Sequence, residues 1–310
     1  EIRSRGLGDV YKRQYIMNID HCNSHSSFKD KVNMSNLCQE ITLPTKPIQH
    51  IDDPEGEIAL CILSAINVGT LKDVSELENL CDISVRALDE IIDYQDYPVK
   101  AAEVSTKARR SLGIGYIGLA HYLAKNGVKY SDPEAWTLVD RLSEAFQYYL
   151  LRASCNIAEE KGKCTGFERT KYADGLLPID HYKKDVDKIV PHKQRMAWES
   201  LRKDIAKHGL RHSTLSAQMP SESSSVVSNA TNGIEPPRAL LSIKKSKKGP
   251  LKQIVPGFPK LKNDYTLLWD MPNNEGYINV VAMMQKYFDQ AISGNWSYNP
   301  LQHDNNEVPL

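Results

Sequence analysis

The amino-acid sequence predicts an α/β fold, in which strands alternate with helices. An apolar run at residues 58–65 follows the turn-forming residues 52–56, as expected for a strand that is covered on both faces in a parallel sheet. Residues 75–94 instead place apolar side chains at the spacing of an amphipathic helix. Because helices of about 15–25 residues recur between short strand candidates, a sheet packed against helices is the expected architecture.

The elements that follow keep this alternation. Helices are predicted at 133–162, 195–208 and 275–293, and strands at 112–118, 213–219 and 239–255. A Lys- and Gly-rich turn at 244–249 divides the last of these strands, which is typical of a hairpin. The sequence shows no internal repeat and no low-complexity linker, so we expect residues 15–310 to form one domain.

The first 14 residues lack an apolar period and are excluded from the predicted fold. Residues 9–14, Asp-Val-Tyr-Lys-Arg-Gln, back-translate as GAT GTG TAT AAG AGA CAG, which is the end of a transposon adaptor used in sequencing libraries. We therefore expect residues 1–14 to be an assembly artefact and the protein sequence to begin near Tyr15. Resequencing the locus with unrelated chemistry tests this expectation, because recovery of the same codons would contradict it.

The charge balance excludes several classes of protein. Lys plus Arg and Asp plus Glu both number 39, which is typical neither of a polybasic nucleic-acid-binding protein nor of a protein drawn to membranes by charge. No stretch approaches the roughly 18 apolar residues of a membrane helix, and no signal peptide is visible. We expect a cytoplasmic protein that binds neither nucleic acid nor a membrane.

Six cysteines are spread along the chain without any CxxC pair. They are too sparse for a disulfide scaffold and wrongly spaced for a zinc site. We therefore expect no metal site and expect most of the thiols to be buried in a reducing compartment.

A GxGxxG motif occupies residues 113–118. In a dinucleotide site this motif follows an apolar strand, whereas the polar residues 107–111 precede it here. We interpret the glycines as packing residues that let a strand turn tightly into a helix carrying Leu119 and Tyr122.

Three chemically functional side chains alternate at Asn36, Cys38 and Glu40. In an extended backbone they would share one face, with neighbours roughly 7 Å apart, a spacing comparable to a ribose ring. Cys61 follows far enough along the chain to return beside Cys38. The local sequence alone leaves open a polar loop with a structural cysteine.

Residues 219–225 read Met-Pro-Ser-Glu-Ser-Ser-Ser and lead into an apolar segment. A proline and a serine before such a segment predict a helix start, where hydroxyls and free backbone N–H groups bind phosphate. An ordinary capped loop remains the alternative at this point. A tight turn at residues 229–237 is expected to orient the loop.

Four segments together resemble the large, catalytic subunit of class I ribonucleotide reductase. They are Asn36-Leu37-Cys38-x-Glu40, the strand at 56–61, Pro220-Ser221-Glu222-x-Ser224, and residues 228–237. The resemblance covers the chain from about Tyr15 to Leu310 in the family's motif order. It implies about half of a ten-stranded α/β barrel, with a central finger loop that carries Cys38.

The resemblance also implies a role for each residue. Cys38 would form the thiyl radical that removes the ribose 3′ hydrogen, Glu40 would take the 3′-hydroxyl proton, and Asn36 would position the sugar. Cys61 would be one of two thiols that supply electrons and end as a disulfide. The implied substrate-binding residues are Asn36, Leu37, Cys38, Gln39, Glu40, Pro220, Ser221, Glu222, Ser223 and Ser224.

Cofactors and partners follow from the same resemblance. No cofactor would be bound by this chain, because the radical comes from a metal-containing small (beta) subunit and nucleotide effectors bind a region N-terminal to this sequence. The implied partners are a ribonucleoside diphosphate, the small subunit, thioredoxin or glutaredoxin, and a second large subunit. The family's other reducing cysteine and its radical-relaying tyrosine pair have no match in this sequence, so we expect the isolated chain to reduce no nucleotide.

Three alternatives stay open. A glycyl-radical enzyme with a related barrel would need an Arg-Val-x-Gly-Tyr-like segment, which this sequence lacks. A cysteine hydrolase would pair Cys38 with His21 or His25, but Glu40 would then have no role. The third alternative is the product of a split or decayed gene that acts only in assembly.

Overall fold

A computed structural model of the chain describes residues 15–246 and 249–297. The expected artefact at residues 1–14 lies outside the described residues, as do residues 298–310. The helices and strands, in chain order, are α1 (Ile19–Ser24), β1 (Ile62–Asn67), α2 (Leu77–Tyr94), α3 (Lys100–Arg109), β2 (Leu112–Ile117), α4 (Leu119–Lys125), α5 (Pro133–Lys161), α6 (Pro178–His181), α7 (Trp198–His208), α8 (Glu222–Val227), β3 (Leu241–Ser246), β4 (Gly249–Ile254) and α9 (Glu275–Gln285).

Four parallel segments lie side by side at the centre of the fold. Strands β1 and β2 pair in parallel, with Ile62 opposite Leu112. A third segment, residues 214–218, lies beside β2, and a fourth segment, residues 290–292, lies beside the third through parallel bridges. Helices connect these segments, so the α/β class predicted from the sequence is confirmed.

Within the described residues, the four parallel segments form an open sheet and not a closed barrel. Every residue of β2 is buried, because it has neighbours on both edges. The prediction that the apolar run at 58–65 contributes a strand to a parallel sheet is confirmed from Ile62 onward, but the predicted start of the strand and its cover on both faces are wrong. The strand begins only at Ile62, and Leu63 is 43% exposed because β1 lies at the edge of the described sheet.

Helix α5 contacts the sheet through an aromatic cluster. It begins with Pro133, a residue suited to the first turn of a helix because its missing N–H would have no partner there. The rings of Tyr116 in β2, Phe146 in α5 and Phe288 after α9 pack together with centroids 5.3, 5.7 and 5.6 Å apart. This aromatic cluster fixes the sheet on the helical layer.

The predicted helices at 75–94, 133–162 and 195–208 and the predicted hairpin are confirmed within a few residues. The predicted helix at 275–293 is wrong beyond Gln285, where α9 ends. The buried carboxylate of Asp289 accepts the backbone N–H groups of Leu215 and Ser216, and these bonds hold the following residues against the sheet. Among the described residues, no helix combines the length and apolar character needed to cross a bilayer.

Candidate active site

The chain reverses direction between the two cysteines singled out in the sequence. Lys46 and Glu57 pair in an antiparallel bridge with backbone hydrogen bonds of 3.1 and 3.2 Å. Cys38 precedes the bridge and Cys61 follows it, so the bridge returns the chain toward the loop that carries Cys38. We call residues 36–42 the Cys38 loop.

A buried ion-pair network fastens this bridge. The Glu57 carboxylate accepts hydrogen bonds from Arg109 at 2.8 Å and from Arg169 at 2.7 Å, and its distance to the Lys46 ammonium is 3.1 Å. Burial alone would raise the pKa of Glu57, but the hydrogen bonds from Arg169 and Arg109 outweigh it and lower the pKa to about 2. Glu57 is therefore ionised at neutral pH and anchors the segment that leads to Cys61.

The Cys38 loop is a tight turn, so the extended backbone predicted for residues 36–40 is wrong. Gln39 donates its N–H to the carbonyl of Asn36 at 3.2 Å and has a φ of 66°. The Asn36 side chain explains the turn, because its amide oxygen accepts the N–H of Ile41 at 3.1 Å. Such local bonds compete with a strand. Its amide nitrogen donates to Glu40 at 2.8 Å, which brings these two side chains into direct contact.

The side chains of the Cys38 loop differ in their exposure to solvent. Glu40 is 3% exposed, and its Oε2 atom has no hydrogen-bond partner among the residues that the structure describes. Cys38 is half-buried, whereas Leu37 is 81% exposed. An unpartnered, buried carboxylate oxygen is costly, which favours a function for it in binding a proton donor.

Cys61 packs closely against β2 because glycine occupies position 113. A Cβ atom at Gly113 would lie 3.0 Å from the Cys61 sulfur and 2.6 Å from Leu63 Cδ2. Two residues on, a Cβ at Gly115 would lie 2.6 Å from the carbonyl oxygen of Ala217. The packing interpretation of the GxGxxG motif is thereby confirmed, although only Gly118, with a φ of 80°, sits at the turn into α4.

The surroundings of Cys61 keep its thiol protonated. Burial raises the pKa of Cys61 to about 12, the hydrogen bond from Gln290 opposes this rise, and the charges of Asp289 and Glu40 add to it. The contribution of Glu40 means that the Cys38 loop and Cys61 share one electrostatic environment. A thiol that stays protonated is suited to supplying hydrogen and electrons rather than to acting as a thiolate nucleophile.

A small apolar cluster joins the same elements. It contains Ile41 of the Cys38 loop and Ala217 of the third segment, with Cys61 packed against it. The fourth segment adds backbone bonds, because Ala291 donates its N–H to the carbonyl of Glu40 and accepts the N–H of Gln218, both at 3.1 Å. Gln218 stands two residues before Pro220, so Ala291 connects the Cys38 loop to the segment that leads into residues 220–225.

The serine-rich loop, residues 220–225, starts a short helix as predicted. Helix α8 begins directly after Ser221, whose hydroxyl donates to the carbonyl of Met219 at 3.0 Å instead of capping the helix. Ser221 is buried, whereas the side chains of Glu222, Ser223 and Ser224 are exposed. The exposed face of this loop therefore carries two hydroxyls, the Glu222 carboxylate and the N–H groups of a first helical turn.

The turn that follows holds the serine-rich loop in place, as the sequence predicted. Ala230 donates its N–H to the carbonyl of Ser225 at 2.8 Å. Thr231 accepts the N–H of Gly118 at 3.0 Å through its own carbonyl. The loop is thus attached to the start of α4, at the end of the central strand.

Two cavities of about 630 and 470 Å³ lie near these loops. The larger is lined by Gln39, His25 and His181, and the smaller by Pro220 and Glu222; neither is lined by Cys38 or Cys61. Among residues 15–246 and 249–297, no group of three or more His, Cys, Asp or Glu side chains is arranged to hold a metal ion.

Sequence reasoning missed Gln290, which contacts both Cys61 and the Cys38 loop. It lies in the stretch for which a helix was predicted, and no local pattern distinguishes it. The contribution of Gly113 was also missed, although its motif was noticed, because the partner of the glycine is distant in the sequence.

Comparisons with known proteins give a consistent result. A family model described as "Ribonucleotide reductase, barrel domain" matches residues 11–307. The chain is 57% identical to the ribonucleoside-diphosphate reductase subunit alpha of Buchnera aphidicola subsp. Schizaphis graminum and 58% identical to that of Haemophilus influenzae. It is 54% identical to the ribonucleoside-diphosphate reductase 1 subunit alpha of Escherichia coli. These alignments cover 96% of this chain but only 39–40% of each relative.

Proposed function

Because this chain belongs to the ribonucleotide reductase family, matching the barrel domain of the large subunit, we propose that it carries the site at which a ribonucleoside diphosphate is reduced. The observation that carries the proposal is the buried Oε2 atom of Glu40, which has no partner among the described residues and lies beside Asn36 and in the electrostatic environment of Cys61. A sugar hydroxyl is a donor of the right kind for that oxygen.

The reaction starts with a radical on the sulfur of Cys38. This sulfur takes the hydrogen atom from ribose C3′, and the bond strengths of S–H and ribose C–H are close enough for the transfer to be nearly balanced. Glu40 accepts the 3′-hydroxyl proton, which makes the neighbouring position more electron-rich. Asn36 holds both the carboxylate and the sugar hydroxyls.

The second half of the reaction removes the 2′-hydroxyl as water. Cys61 and a second thiol together provide two electrons and two hydrogens and become a disulfide. Cys38 then returns its hydrogen to C3′ and regains the radical. The protonated state of the Cys61 thiol supports this role, because it has a hydrogen to give.

We propose that the serine-rich loop holds the substrate diphosphate. Its exposed hydroxyls and first-turn N–H groups suit an anion, and the two bonds through Ala291 connect it with Glu40. Within this proposal the substrate contacts Asn36, Leu37, Cys38, Gln39, Glu40, Pro220, Ser221, Glu222, Ser223 and Ser224.

The proposal includes the surroundings of the site. Residues 15–310 would belong to one barrel domain whose finger loop is the Cys38 loop. The radical would come from a metal-containing small subunit, thioredoxin or glutaredoxin would reduce the disulfide in the cytoplasm, and effectors and a second large subunit would act on the complete enzyme. Cys81, Cys155 and Cys164 lie buried in the core and Cys22 is half-buried. None of the four lies in a segment that resembles the family's motifs, so none is proposed as the partner of Cys61. The isolated chain would therefore not turn over.

A chimera tests the proposed function. Residues 15–297 would replace the matching segment of the Escherichia coli relative, and reduction of labelled ribonucleoside diphosphates would be measured with the small subunit and thioredoxin. We expect the chimera to be active, Cys38→Ser and Cys61→Ser to abolish turnover, and Glu40→Gln to lower it by about 10²–10⁴-fold. Cys155→Ser serves as the control and should retain activity.

Two results would overturn the proposal. One is a folded chimera that binds the small subunit but reduces no nucleotide, which would favour a product that acts only in assembly. The other is turnover that survives Cys38→Ser. No observation favours the cysteine hydrolase or the glycyl-radical alternative.

A further inference from the structure

Gln290 lies in the fourth segment, directly behind the two loops of the site. It is 3% exposed. Its backbone N–H donates to the carbonyl of Ser216 at 3.0 Å, and its carbonyl accepts a bond from Gln285 at 2.9 Å. Both backbone polar groups of Gln290 are therefore hydrogen-bonded, which fixes the position from which its side chain extends.

The side-chain amide of Gln290 contacts three separate parts of the site. Its oxygen accepts the N–H of Thr42 at the end of the Cys38 loop, at 3.1 Å. Its nitrogen donates to the carbonyl of Leu112 in β2 at 2.9 Å and to the sulfur of Cys61 at 3.6 Å. All three partners are of the correct kind for an acceptor oxygen and a donor nitrogen.

These partners also fix the orientation of the amide. With oxygen and nitrogen exchanged, N–H would face N–H at Thr42, and C=O would face C=O at Leu112. Both contacts would leave a buried polar group without a partner, which is costly. The nitrogen is therefore held on the side of the Cys61 sulfur.

We propose that Gln290 is a positioning residue for the Cys61 thiol: its N–H group binds the sulfur, while the same amide ties the Cys38 loop to β2. The bound sulfur acts as the acceptor, so its own S–H is turned away from Gln290 and is available to another group. This inference rests on the proposed function only where it gives Cys61 a reducing role; the geometry itself does not depend on turnover.

The charges around Cys61 explain why its contact with Gln290 affects the ionisation of the thiol. The ionisable groups that act on the sulfur are Glu40 from the Cys38 loop and Asp289 from the stretch after α9, and both disfavour the thiolate. The N–H of Gln290 is the opposing contact. Its loss would leave burial and the two carboxylates unopposed, and the thiolate population would fall.

The test uses the 310-residue chain and a neutral alkylating reagent, iodoacetamide, at pH 9. Mass spectrometry would follow alkylation of Cys61 and, in the same sample, of Cys38. Gln290→Glu keeps an acceptor for Thr42 but replaces the donor to sulfur with a carboxylate, whose charge also disfavours the thiolate. Gln290→Leu removes the acceptor and the donor without adding a charge, so it is the deciding variant. We expect Cys61 to react about tenfold more slowly in either variant, with the rate of Cys38 changed less than about twofold.

Gln285→Leu is the matched control, because it loosens the backbone of Gln290 without touching the sulfur. Cys61 should react at its normal rate in this variant. An unchanged Cys61 rate in a folded Gln290→Leu variant would overturn the proposal, and so would a joint rise for both cysteines, which indicates mere loosening. If Gln290→Leu does not fold, Gln290→Met, which is also uncharged and has a similar length, decides in its place. Alkylation needs no turnover, so this result stands apart from the activity of the chimera.

Discussion

Asn36 donates its side-chain amide to the carboxylate of Glu40 across a tight turn, over 2.8 Å. The bond uses one carboxylate oxygen and leaves the other, Oε2, buried and without a partner among the described residues. Asn36 therefore binds the Glu40 carboxylate through its amide nitrogen. Its amide oxygen accepts the N–H of Ile41 and so also stabilises the loop backbone. The first prediction follows from this double role.

Asn36→Ala removes both bonds. We expect a loss of about 1–3 kcal/mol in the free energy of unfolding, because the Ile41 N–H loses its partner. In the chimera, the misplaced carboxylate should lower kcat by about 10²-fold. Denaturant titration and steady-state kinetics measure the two effects. Ser35→Ala, at the residue directly before the Cys38 loop, is the control and should change neither. A fully active Asn36→Ala chimera would refute the role of the amide.

Gly113→Ala should destabilise the chain by about 1–3 kcal/mol, since the new methyl group meets the Cys61 sulfur and the Leu63 side chain. Leu63 is partly exposed, so Leu63→Ala alone should cost less. The double variant Gly113→Ala/Leu63→Ala should recover part of the loss, because the closest contact, at 2.6 Å, is removed. Thermal and denaturant unfolding provide the measurement. A Gly113→Ala chain that is more stable than the parent would show that the close approach is absent.

Glu57→Gln should cost about 3 kcal/mol of unfolding free energy, because it leaves the buried guanidinium of Arg109 with less compensation. The pKa of Glu57 is lowered to about 2 in the folded chain. Its stabilising contribution is therefore complete above the ordinary pKa of a glutamate and is lost as pH falls toward 2. Glu103→Gln is the control: within the described part of the chain this carboxylate forms ion pairs with Lys100 and Lys107 on the surface of α3, and its loss should cost much less than that of Glu57. Equal losses in the two variants would contradict the network.

Because His25 and His181 are buried, we expect the free energy of unfolding to fall in mild acid. Their rings lie 5.0 Å apart, and burial lowers the pKa of His25 to about 4 and that of His181 to about 3. The unfolded chain binds protons near pH 6.5 while the folded chain does not, so the free energy of unfolding should fall as pH drops from about 6.5 to 4.

Replacement of the titrating ring checks this. His25→Phe keeps a ring at the contact but cannot be protonated, so the decline between pH 6.5 and 4 should become shallower by about half, with His181 still contributing. His50→Asn, at an exposed histidine, should leave the decline unchanged. A parent chain with constant stability across this range would contradict the buried, neutral pair.

The elements that the sequence predicts correctly are those determined by the local spacing of apolar residues. Helix α5 and strand β2 follow from apolar spacing and were located within a residue or two. The end of α9 could not be predicted from the local pattern. It depends on the Asp289 carboxylate, which accepts hydrogen bonds from the distant backbone N–H groups of Leu215 and Ser216. Likewise, the alternation of Asn36, Cys38 and Glu40 indicated a strand, but the side chain of Asn36 forms the turn.

The site residues themselves were identified from the sequence through the family resemblance, and their roles remain proposals. What the sequence could not provide is the connection between them. Ala291 joins Glu40 to Gln218, and Gln290 joins Thr42 to Cys61, through contacts between residues far apart in the chain. No local pattern marks either residue.

Oxidation of Cys61 in a single turnover is the decisive measurement of its reducing role. In the chimera, the cysteines near the C-terminus of the Escherichia coli portion would first be replaced by serine, so that they cannot re-reduce the Cys61 disulfide by thiol–disulfide exchange. The chimera would be mixed with the small subunit and a ribonucleoside diphosphate without thioredoxin and then quenched, and both deoxyribonucleotide and the Cys61 disulfide would be quantified by mass spectrometry. We expect one Cys61 disulfide for each deoxyribonucleotide formed, and neither product in Cys38→Ser. Deoxyribonucleotide formed while Cys61 stays reduced would contradict that role.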